Sequence, residues 1–276
     1  MTESQTPAAT VIEPALAGYK EYEINIERVM RNDLPGVVAD IHAAPLTAAS
    51  VNAIPEGAKG AYVLLVDGYP VYAGKTDTRH GFRDRLNRHA FSIQNRKNLD
   101  PAAITFKAIR ILVFSNFDVE AILIDEMRKA DKDALRWNYS GFGSNDPGHR
   151  REGQRPAEFD VKYPVNIDRP LHLVEAGQYQ LLSLLVRLKE HLPFDLRYET
   201  DLQPGSDDKY IGYRKGHADQ REAGPVDVDD DDTTRTLLQK IMAALPPGWR
   251  TTVFPGRVIL YKESTTYRYA LESFTA

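Results

Sequence analysis

The residue types that phosphodiester hydrolysis requires occur together in one part of this 276-residue chain. The reaction needs an activated water, a cation on the phosphate, a metal held by oxygen ligands and an acid for the leaving group. These functions can be performed by two phenols, a guanidinium, an imidazole, an ammonium, a carboxylate and an amide. The candidate catalytic residues are Tyr62, Tyr72, Lys75, Arg85, His89, Glu120 and Asn138.

The two tyrosines lie on a predicted β-hairpin. Residues 60–76 read GAYVLLVDGYPVYAGKT, in which Asp67-Gly68 separates two apolar runs and predicts a tight turn. A two-residue turn would pair residue 62 with residue 73 and so place Tyr62 and Tyr72 on opposite faces of the sheet. If both tyrosines line one site, the hairpin must contain a bulge, and Pro70, which cannot donate to a ladder, favours one.

Arg85 and His89 are predicted to project from one face of a helix over residues 81–95, because they are four positions apart. A strand over 104–114 should follow, and Asp118 should cap a further helix that ends near Asp131 and carries Glu120 in its first turn. The apolar stripe of the first helix is Phe82, Leu86, Ala90 and Ile93, and that of the second is Val119, Ile122, Leu123 and Met127.

The charge distribution favours a nucleic-acid partner. The chain has a net charge of −4, but the segment from Tyr72 to Arg110 contains nine basic residues and only three acidic ones. A basic patch on an acidic body is typical of a DNA-binding surface, although a solvated helix face has the same composition. The expected DNA-binding residues, which could read bases or contact phosphates only, are Arg79, Arg88, Gln94, Asn95, Arg96, Lys97, His149, Arg150, Arg151, Gln154 and Arg155.

Taken in order, these elements resemble the GIY-YIG nuclease superfamily. The two signature triplets read Gly60-Ala61-Tyr62 and Tyr72-Ala73-Gly74, each with alanine where the family consensus has isoleucine. The segments FRDRLNRHAFSIQNRKNLD, VEAILI, WNYSGFGSNDPG and AEFDVKYP are similar to a small branch of Type II restriction endonucleases built on that fold. The resemblance covers residues 56–168.

The resemblance implies a role for each candidate. Tyr62 would be the general base or bind the attacking water, with His89 and Lys75 lowering its pKa, and Tyr72 would position water or phosphate. Arg85 would bind the scissile phosphate, Glu120 would hold one Mg²⁺ per active site, and Asn138 would orient Glu120 or a phosphate oxygen.

The implied activity is sequence-specific cleavage of double-stranded DNA. One active site per chain implies a homodimer on DNA or two successive nicks, and a cognate DNA methyltransferase could be encoded nearby. The alternatives are a GIY-YIG repair, mobile-element or phage-defence nuclease with looser specificity, and a non-catalytic DNA-binding protein on the same fold.

Other patterns in the sequence point to different chemistry and are weaker. Residues 74–76 end like a phosphate-binding loop, but the glycine spacing is wrong and the intervening residues form a strand. Residues 227–232 begin like a calcium loop but lack its glycine and final glutamate. Asp160 and Lys162, with Asp146 upstream, have the acid-x-lysine spacing of another nuclease class and remain a rival site. Each main candidate also has an ordinary structural role, such as strand core, surface ion pair or helix cap.

The predicted fold class is α/β in the broad sense, specifically α+β. A disordered tail (1–18) and an N-terminal wrapping segment (19–55), with a helix after Leu34-Pro35, precede the nuclease domain (56–168), which has a small central antiparallel-containing β-sheet flanked by helices. A C-terminal α+β domain of unknown role (169–276) should contain helices at 174–191 and 233–245, each followed by proline and strands, with an acidic linker or loop between them. The absence of cysteine, of a signal-like N-terminus and of a long apolar run predicts a cytoplasmic protein with no membrane association.

Overall fold

The computed structural model describes residues 25–77, 79–112, 118–143, 152–170, 172–201 and 212–275, and these form an α+β fold, as predicted. The expected disordered tail, residues 1–18, lies outside the described residues. None of the described helices is long and apolar enough to cross a membrane.

The described secondary structure comprises helices and mostly antiparallel strands. The helices are α1 (Ile26–Asp40), α2 (Ala48–Asn52), α3 (Phe82–Ile93), α4 (Val119–Ala130), α5 (Glu158–Lys162), α6 (Leu181–His191), α7 (Ala218–Glu222) and α8 (Thr234–Ala244). The strands are β1 (Ala44–Pro45), β2 (Gly60–Val66), β3 (Tyr69–Lys75), β4 (Ile104–Arg110), β5 (Gly177–Gln180), β6 (Asp195–Tyr198), β7 (Pro225–Val228), β8 (Trp249–Val253), β9 (Arg257–Lys262) and β10 (Glu272–Thr275). Short 3-10 turns lie at Pro101–Ala103 and Gly212–Lys215.

The first part of the chain forms a four-stranded antiparallel sheet in the order β1-β4-β2-β3. One face packs against α1 and α4, where the buried residues include Ala61, Ala73 and Leu123. The opposite face packs against α3, where they include Tyr62 and Leu86. Because side chains alternate along a strand, β2, β3 and β4 each contribute to both cores.

The N-terminal segment packs against this sheet, but its helix starts earlier than expected. Helix α1 begins at Ile26 and continues through Leu34-Pro35, so the prediction that it follows this dipeptide was wrong. Pro35 removes one backbone donor from the helix. Burial of Leu34 and Val38 in the sheet core offsets that loss, and Arg31 forms ion pairs with the acidic face of α4.

The second part forms a sheet in the order β10-β8-β9-β6 and a two-stranded sheet of β5 and β7, with α6 and α8 packed in the same core. Helix α6 begins at Leu181 rather than at 174, because residues 177–180 pair with β7. The acidic stretch expected as a linker or loop is a strand in its first part and a turn in its second. Its first residues form β7, and its aspartates turn beside Lys240, whose Nζ lies 2.6 Å from Asp232 Oδ2.

The two parts are joined by direct contacts. Val165 and Ile167 already pack in the C-terminal core, a few residues before the expected boundary at 168. The backbone N–H of Val165 donates to the carbonyl of Pro255 at 2.8 Å. The connection between the cores is therefore a packed segment whose backbone is hydrogen-bonded to the second part.

Candidate active site

A bulge in the β2–β3 hairpin brings both tyrosines to one face. The register runs Leu65↔Pro70 and then Leu64↔Tyr72, so Val71 is an extra residue in β3. Beyond it, Tyr62 pairs with Gly74. Since directly paired residues point to the same side of a sheet, Tyr62 and Tyr72 share a face, and the expected irregularity is confirmed.

The glycines of the two triplets are required by close packing. A Cβ on Gly60 would lie 2.0 Å from the carbonyl oxygen of Ile109 on the neighbouring strand. A Cβ on Gly74 would lie 2.6 Å from the Tyr62 hydroxyl oxygen. The alanines of the triplets, Ala61 and Ala73, are buried on the opposite face, against α1 and α4.

His89 on α3 joins the tyrosines. Its Nε2 lies 2.8 Å from the hydroxyl oxygen of Tyr62, and its ring centroid is 5.3 Å from that of Tyr72. Phe142 stacks on the imidazole at a centroid distance of 4.9 Å. Helix α3 therefore presents His89 to the sheet face that carries both phenols, and an aromatic ring fixes its orientation.

Arg85 lies one turn before His89 and has donor capacity directed at the site. One terminal nitrogen lies 3.3 Å from Asp77 Oδ2, while the Nε atom is buried without a hydrogen-bond partner among the described residues. Its charge acts on the pKa of both Tyr62 and Tyr72. A buried orphan N–H beside two phenols is a fitting position for an anionic oxygen.

Glu120 reaches the same site from the first turn of α4. Asp118 caps this helix by accepting a hydrogen bond from the Ala121 N–H, as predicted. The Glu120 carboxylate is half-buried, and burial raises its pKa, whereas Lys75 and Arg85 act in the opposite direction. Lys75 itself lies 2.9 Å from Asp118, so it faces the carboxylates rather than Tyr62.

The residues present fit one magnesium ion with a water-rich coordination shell. Mg²⁺ is commonly bound by one or two carboxylates together with substrate phosphate and retained waters. Glu120 can provide the carboxylate, and its own side chain forms no hydrogen bond or ion pair within the described part of the chain. The described residues contain no group of three or more acidic, histidine or cysteine side chains that could enclose a metal.

The protonation states correct one expected role. Burial, followed by the nearby Arg88 and Arg85, lowers the pKa of His89 to about 3. His89 is therefore neutral at pH 7 and accepts or donates a hydrogen bond, instead of serving as the cation that activates Tyr62. Arg85 is the cation that lowers the pKa of Tyr62, against the larger effect of burial, which raises it well above the usual range.

The two phenols are not equivalent. Tyr62 is only 2% exposed, whereas Tyr72 is half-buried and has a side open to solvent. Burial raises the pKa of Tyr72 as well, but hydrogen bonding with Tyr62 and the charges of Arg85 and Arg88 act to lower it. Tyr72 is the phenol that meets solvent, and Tyr62 lies behind it against His89.

Asn138 has a different task from the one the resemblance implied. Its side-chain oxygen accepts from the Ala73 N–H, and its side-chain nitrogen donates to the Ala73 carbonyl, each at 2.8 Å. Strand β3 is the edge of the sheet, and the amide of Asn138 pairs with it as a neighbouring strand would. Asn138 thus holds the Tyr72 strand in place and does not orient Glu120 or a phosphate with this pair of atoms.

The expected DNA-binding residues separate into exposed and buried groups. The exposed ones among the described residues are Arg79, Arg88, Gln94, Lys97, Gln154 and Arg155. Asn95 is 4% exposed, and Arg96 binds Asp160 at 2.7 Å and the Tyr163 carbonyl at 3.0 Å, so both are engaged within the protein and their contact with DNA stays a prediction. His149, Arg150 and Arg151 lie outside the described residues.

The described residues of the rival acid-x-lysine site do not have the arrangement that it requires. Asp160 lies on the short helix α5 rather than on a strand, and its carboxylate is bound to Arg96. Lys162 lies over the ring of Tyr163. Asp146 is outside the described residues, so the described chain offers no second carboxylate in the required arrangement.

Sequence reasoning missed Phe142, Gly143 and Asp77. Phe142 stacks on His89, a Cβ on Gly143 would lie 3.3 Å from the imidazole, and Asp77 binds Arg85. The GFG motif within SGFGS was the available signal for the first two, since two glycines around an aromatic residue indicate close backbone packing.

No family model matches the chain, and a search of curated proteins gives no significant match.

Proposed function

We propose that this protein is a magnesium-dependent endonuclease of the GIY-YIG type that cuts double-stranded DNA at a specific short sequence, like the Type II restriction enzymes it resembles. The supporting observation is the convergence of Tyr62, Tyr72, Arg85, His89 and Glu120 on one sheet face and its rim. These five side chains come from a hairpin and two helices that are separate in sequence.

Arg85 binds the scissile phosphate. Its planar guanidinium can donate two parallel hydrogen bonds to phosphate oxygens, and its buried Nε is available for one of them. Asp77 holds another part of the same group, which keeps the guanidinium oriented before DNA arrives. The positive charge stabilises the negative charge that grows on the phosphate during attack.

The phenols and His89 carry the proton from the attacking water. The water donates to Tyr72, Tyr72 passes its hydroxyl proton to Tyr62, and Tyr62 passes its own proton to Nε2 of neutral His89. The imidazole becomes an imidazolium, and the negative charge of the bound phosphate favours this form by raising its pKa. Tyr62, which the resemblance made the base, therefore acts one step behind Tyr72.

Glu120 holds the metal at the rim of the site. A divalent cation bound there supplies positive charge for the phosphate oxygens. Lys75 lies beside Glu120 and Asp118 and lowers the pKa of both carboxyl groups, although at Glu120 burial is the larger effect and raises the pKa. One chain provides one site, so a double-strand cut takes a homodimer on DNA or two successive nicks. A cysteine-free chain suits the reducing cytoplasm, where a neighbouring methyltransferase would protect host DNA.

The test is cleavage of plasmid DNA in Mg²⁺ by the wild-type chain, Glu120→Gln and Glu158→Gln. Glu158 is a matched control because it is also a first-turn glutamate but is exposed on α5. We expect discrete fragments from the wild type and from Glu158→Gln, and loss of more than about 10²-fold in rate from Glu120→Gln. Absence of cutting by the wild type at any Mg²⁺ concentration would overturn the proposal, whereas smeared products would favour a nuclease of looser specificity.

The deep burial of Tyr62 and His89 favours one alternative, a DNA-binding protein that has lost catalysis on the same fold. That protein would shift DNA on a gel, would leave it uncut, and would bind equally well after Glu120→Gln. Mg²⁺ separates the two functions further. A metal held by Glu120 raises the thermal unfolding temperature of the wild type but not that of Glu120→Gln.

A further inference from the structure

A cleft of about 410 Å³ lies between the two parts of the chain, next to the candidate active site. One wall is formed by α3 and the turn at residues 141–143, and the floor by Phe159 and Asp160. The other wall belongs to the C-terminal part and consists of residues 193–195 and 254–257. A cleft of this size matches a small-molecule site in volume and can take a short stretch of the backbone of one DNA strand.

Basic side chains line both walls of the cleft. Arg88 comes from α3 and Arg155 from the segment before α5, while Arg257 is the first residue of β9 in the C-terminal part. Two carboxylates accompany them, but Asp160 is bound to Arg96 and is neutralised by it. Asp195 is the remaining acidic group, so the lining carries a net positive charge suited to a phosphate backbone.

The cleft is continuous with the candidate active site. His89 and Gly143 line the cleft; His89 also contacts Tyr62, and a Cβ on Gly143 would lie 3.6 Å from the Tyr72 hydroxyl oxygen. Arg88 follows Arg85 by three positions on α3, which is about 4.5 Å along the helix axis and nearly on the same face. A strand whose scissile phosphate lies at Arg85 can therefore continue past Arg88 into the cleft.

The second wall is held rigidly against the first. A Cβ on Gly256 would lie 2.4 Å from the Asp160 carboxylate, so the turn between β8 and β9 is packed directly on α5. The Val165 N–H donates to the Pro255 carbonyl at the same place. The turn that carries Arg257 is therefore preset in the free protein.

We propose that this cleft is a binding channel for the backbone of one strand of the bound DNA, extending from the active site, with Arg257 of the C-terminal part contacting its phosphates opposite Arg88 and Arg155. This inference rests on the proposed function for the identity of the polyanion. It assigns a role to residues 169–276, namely the second wall of the DNA channel. Recognition of the DNA bases must take place outside the cleft, because contacts to phosphates carry no information about the base sequence.

The first experiment compares Arg257→Ala with Arg268→Ala, which removes the same charge from an exposed position of the same part. Gel-shift binding to a linear plasmid fragment is measured over a series of salt concentrations, without Mg²⁺ so that cleavage does not interfere. We expect Arg257→Ala to weaken binding about tenfold and to lower the slope of log K against log salt by about 1, whereas Arg268→Ala changes neither. Equal affinity and slope for wild type and Arg257→Ala would overturn the channel.

The second experiment leaves Arg257 unchanged, so the inference can still be tested if Arg257→Ala fails to fold. Because the sequence has no cysteine, Asp195→Cys and Arg268→Cys each provide one thiol for a tethered iron–EDTA reagent, which cuts nearby DNA backbone. We expect the reagent at position 195 to cut close to the enzymatic cut site, and the reagent at position 268 to give no localised cutting. Uniform cutting from position 195 would also overturn the inference. The proposed function is judged separately, by whether the unlabelled wild type cleaves DNA in Mg²⁺.

Discussion

Gly74 offers the sharpest test of the candidate site, because a single added methyl group would meet both phenols. The Cβ of Gly74→Ala would lie 2.6 Å from the Tyr62 Cζ and hydroxyl atoms and 2.8 Å from Tyr72 Cε1. Carbon atoms in favourable contact are about 3.5–4.0 Å apart, so the rings must move by about 1 Å. The Tyr62–His89 hydrogen bond, now 2.8 Å, cannot survive such a shift unchanged.

The expected cost follows from two separate effects. Overpacking of a well-filled core costs about 1–3 kcal/mol in the free energy of unfolding, which a domain of this size tolerates. Displacement of catalytic groups by about 1 Å can cost about 10²-fold in rate. We therefore expect Gly74→Ala to fold, to unfold at a lower denaturant concentration, and to lose about 10²-fold in kcat.

The assay combines DNA cleavage kinetics, denaturant unfolding and the nitrogen chemical shifts of the His89 ring. Gly36→Ala is the matched control, because its Cβ meets nothing within 4 Å and its site is in the interior of α1, where alanine is favoured. It should keep full activity and gain up to about 1 kcal/mol in stability. Wild-type kcat together with unchanged His89 shifts in Gly74→Ala would refute the packing argument.

Three further outcomes follow from the same contacts. Folding lowers the pKa of His89 from 6.5 to about 3, so between these pH values the unfolded chain binds one more proton than the folded chain. The free energy of unfolding should therefore fall as the pH drops from 6.5 to 3. Denaturant unfolding curves measured over this pH range should show a smaller fall for His89→Gln. Asn138→Ala should lower the free energy of unfolding by about 2–4 kcal/mol in the same assay, because it removes two buried hydrogen bonds and leaves the Ala73 N–H unpaired. Asn138→Asp keeps the acceptor but has no donor for the Ala73 carbonyl, so it should not restore the full stability. Arg96→Met should cost about 3–5 kcal/mol by leaving the Asp160 carboxylate without its partner, and a stability equal to wild type would show that the pair is dispensable.

The local elements of the nuclease-like part could be predicted because each is specified by neighbouring residues. The Asp118 cap, the apolar stripe of α3 and the turn at Asp67-Gly68 are short-range signals, and all three occur where expected. The bulge could be predicted only by assuming that both tyrosines line one site. A two-residue turn alone would place them on opposite faces, so the assumption required an extra residue, and the observed register at Tyr72 agrees with it.

The remaining roles depend on tertiary contacts that no local pattern encodes. Asn138 pairs with a strand 65 residues earlier in the chain, and Arg96 binds a carboxylate 64 residues later. An arginine in a polar loop reads as a DNA contact until its partner is known. Likewise, the histidine on α3 could be assigned a charge only after its burial was known.

The bulge in β3 also restricts how this sequence can change in length. Val71 shifts the alternation of side chains by one position, so every residue after it points to the face opposite the one that an unbroken ladder would give. At the present chain length, an unbroken ladder would pair Tyr62 with Ala73 and turn Tyr72 to the face that packs against α4. Deleting the extra residue Val71 would instead leave Tyr72 paired with Leu64 on its present face. A change of one residue between Val66 and Tyr72 is therefore compatible with activity only where the bulge or the turn absorbs it.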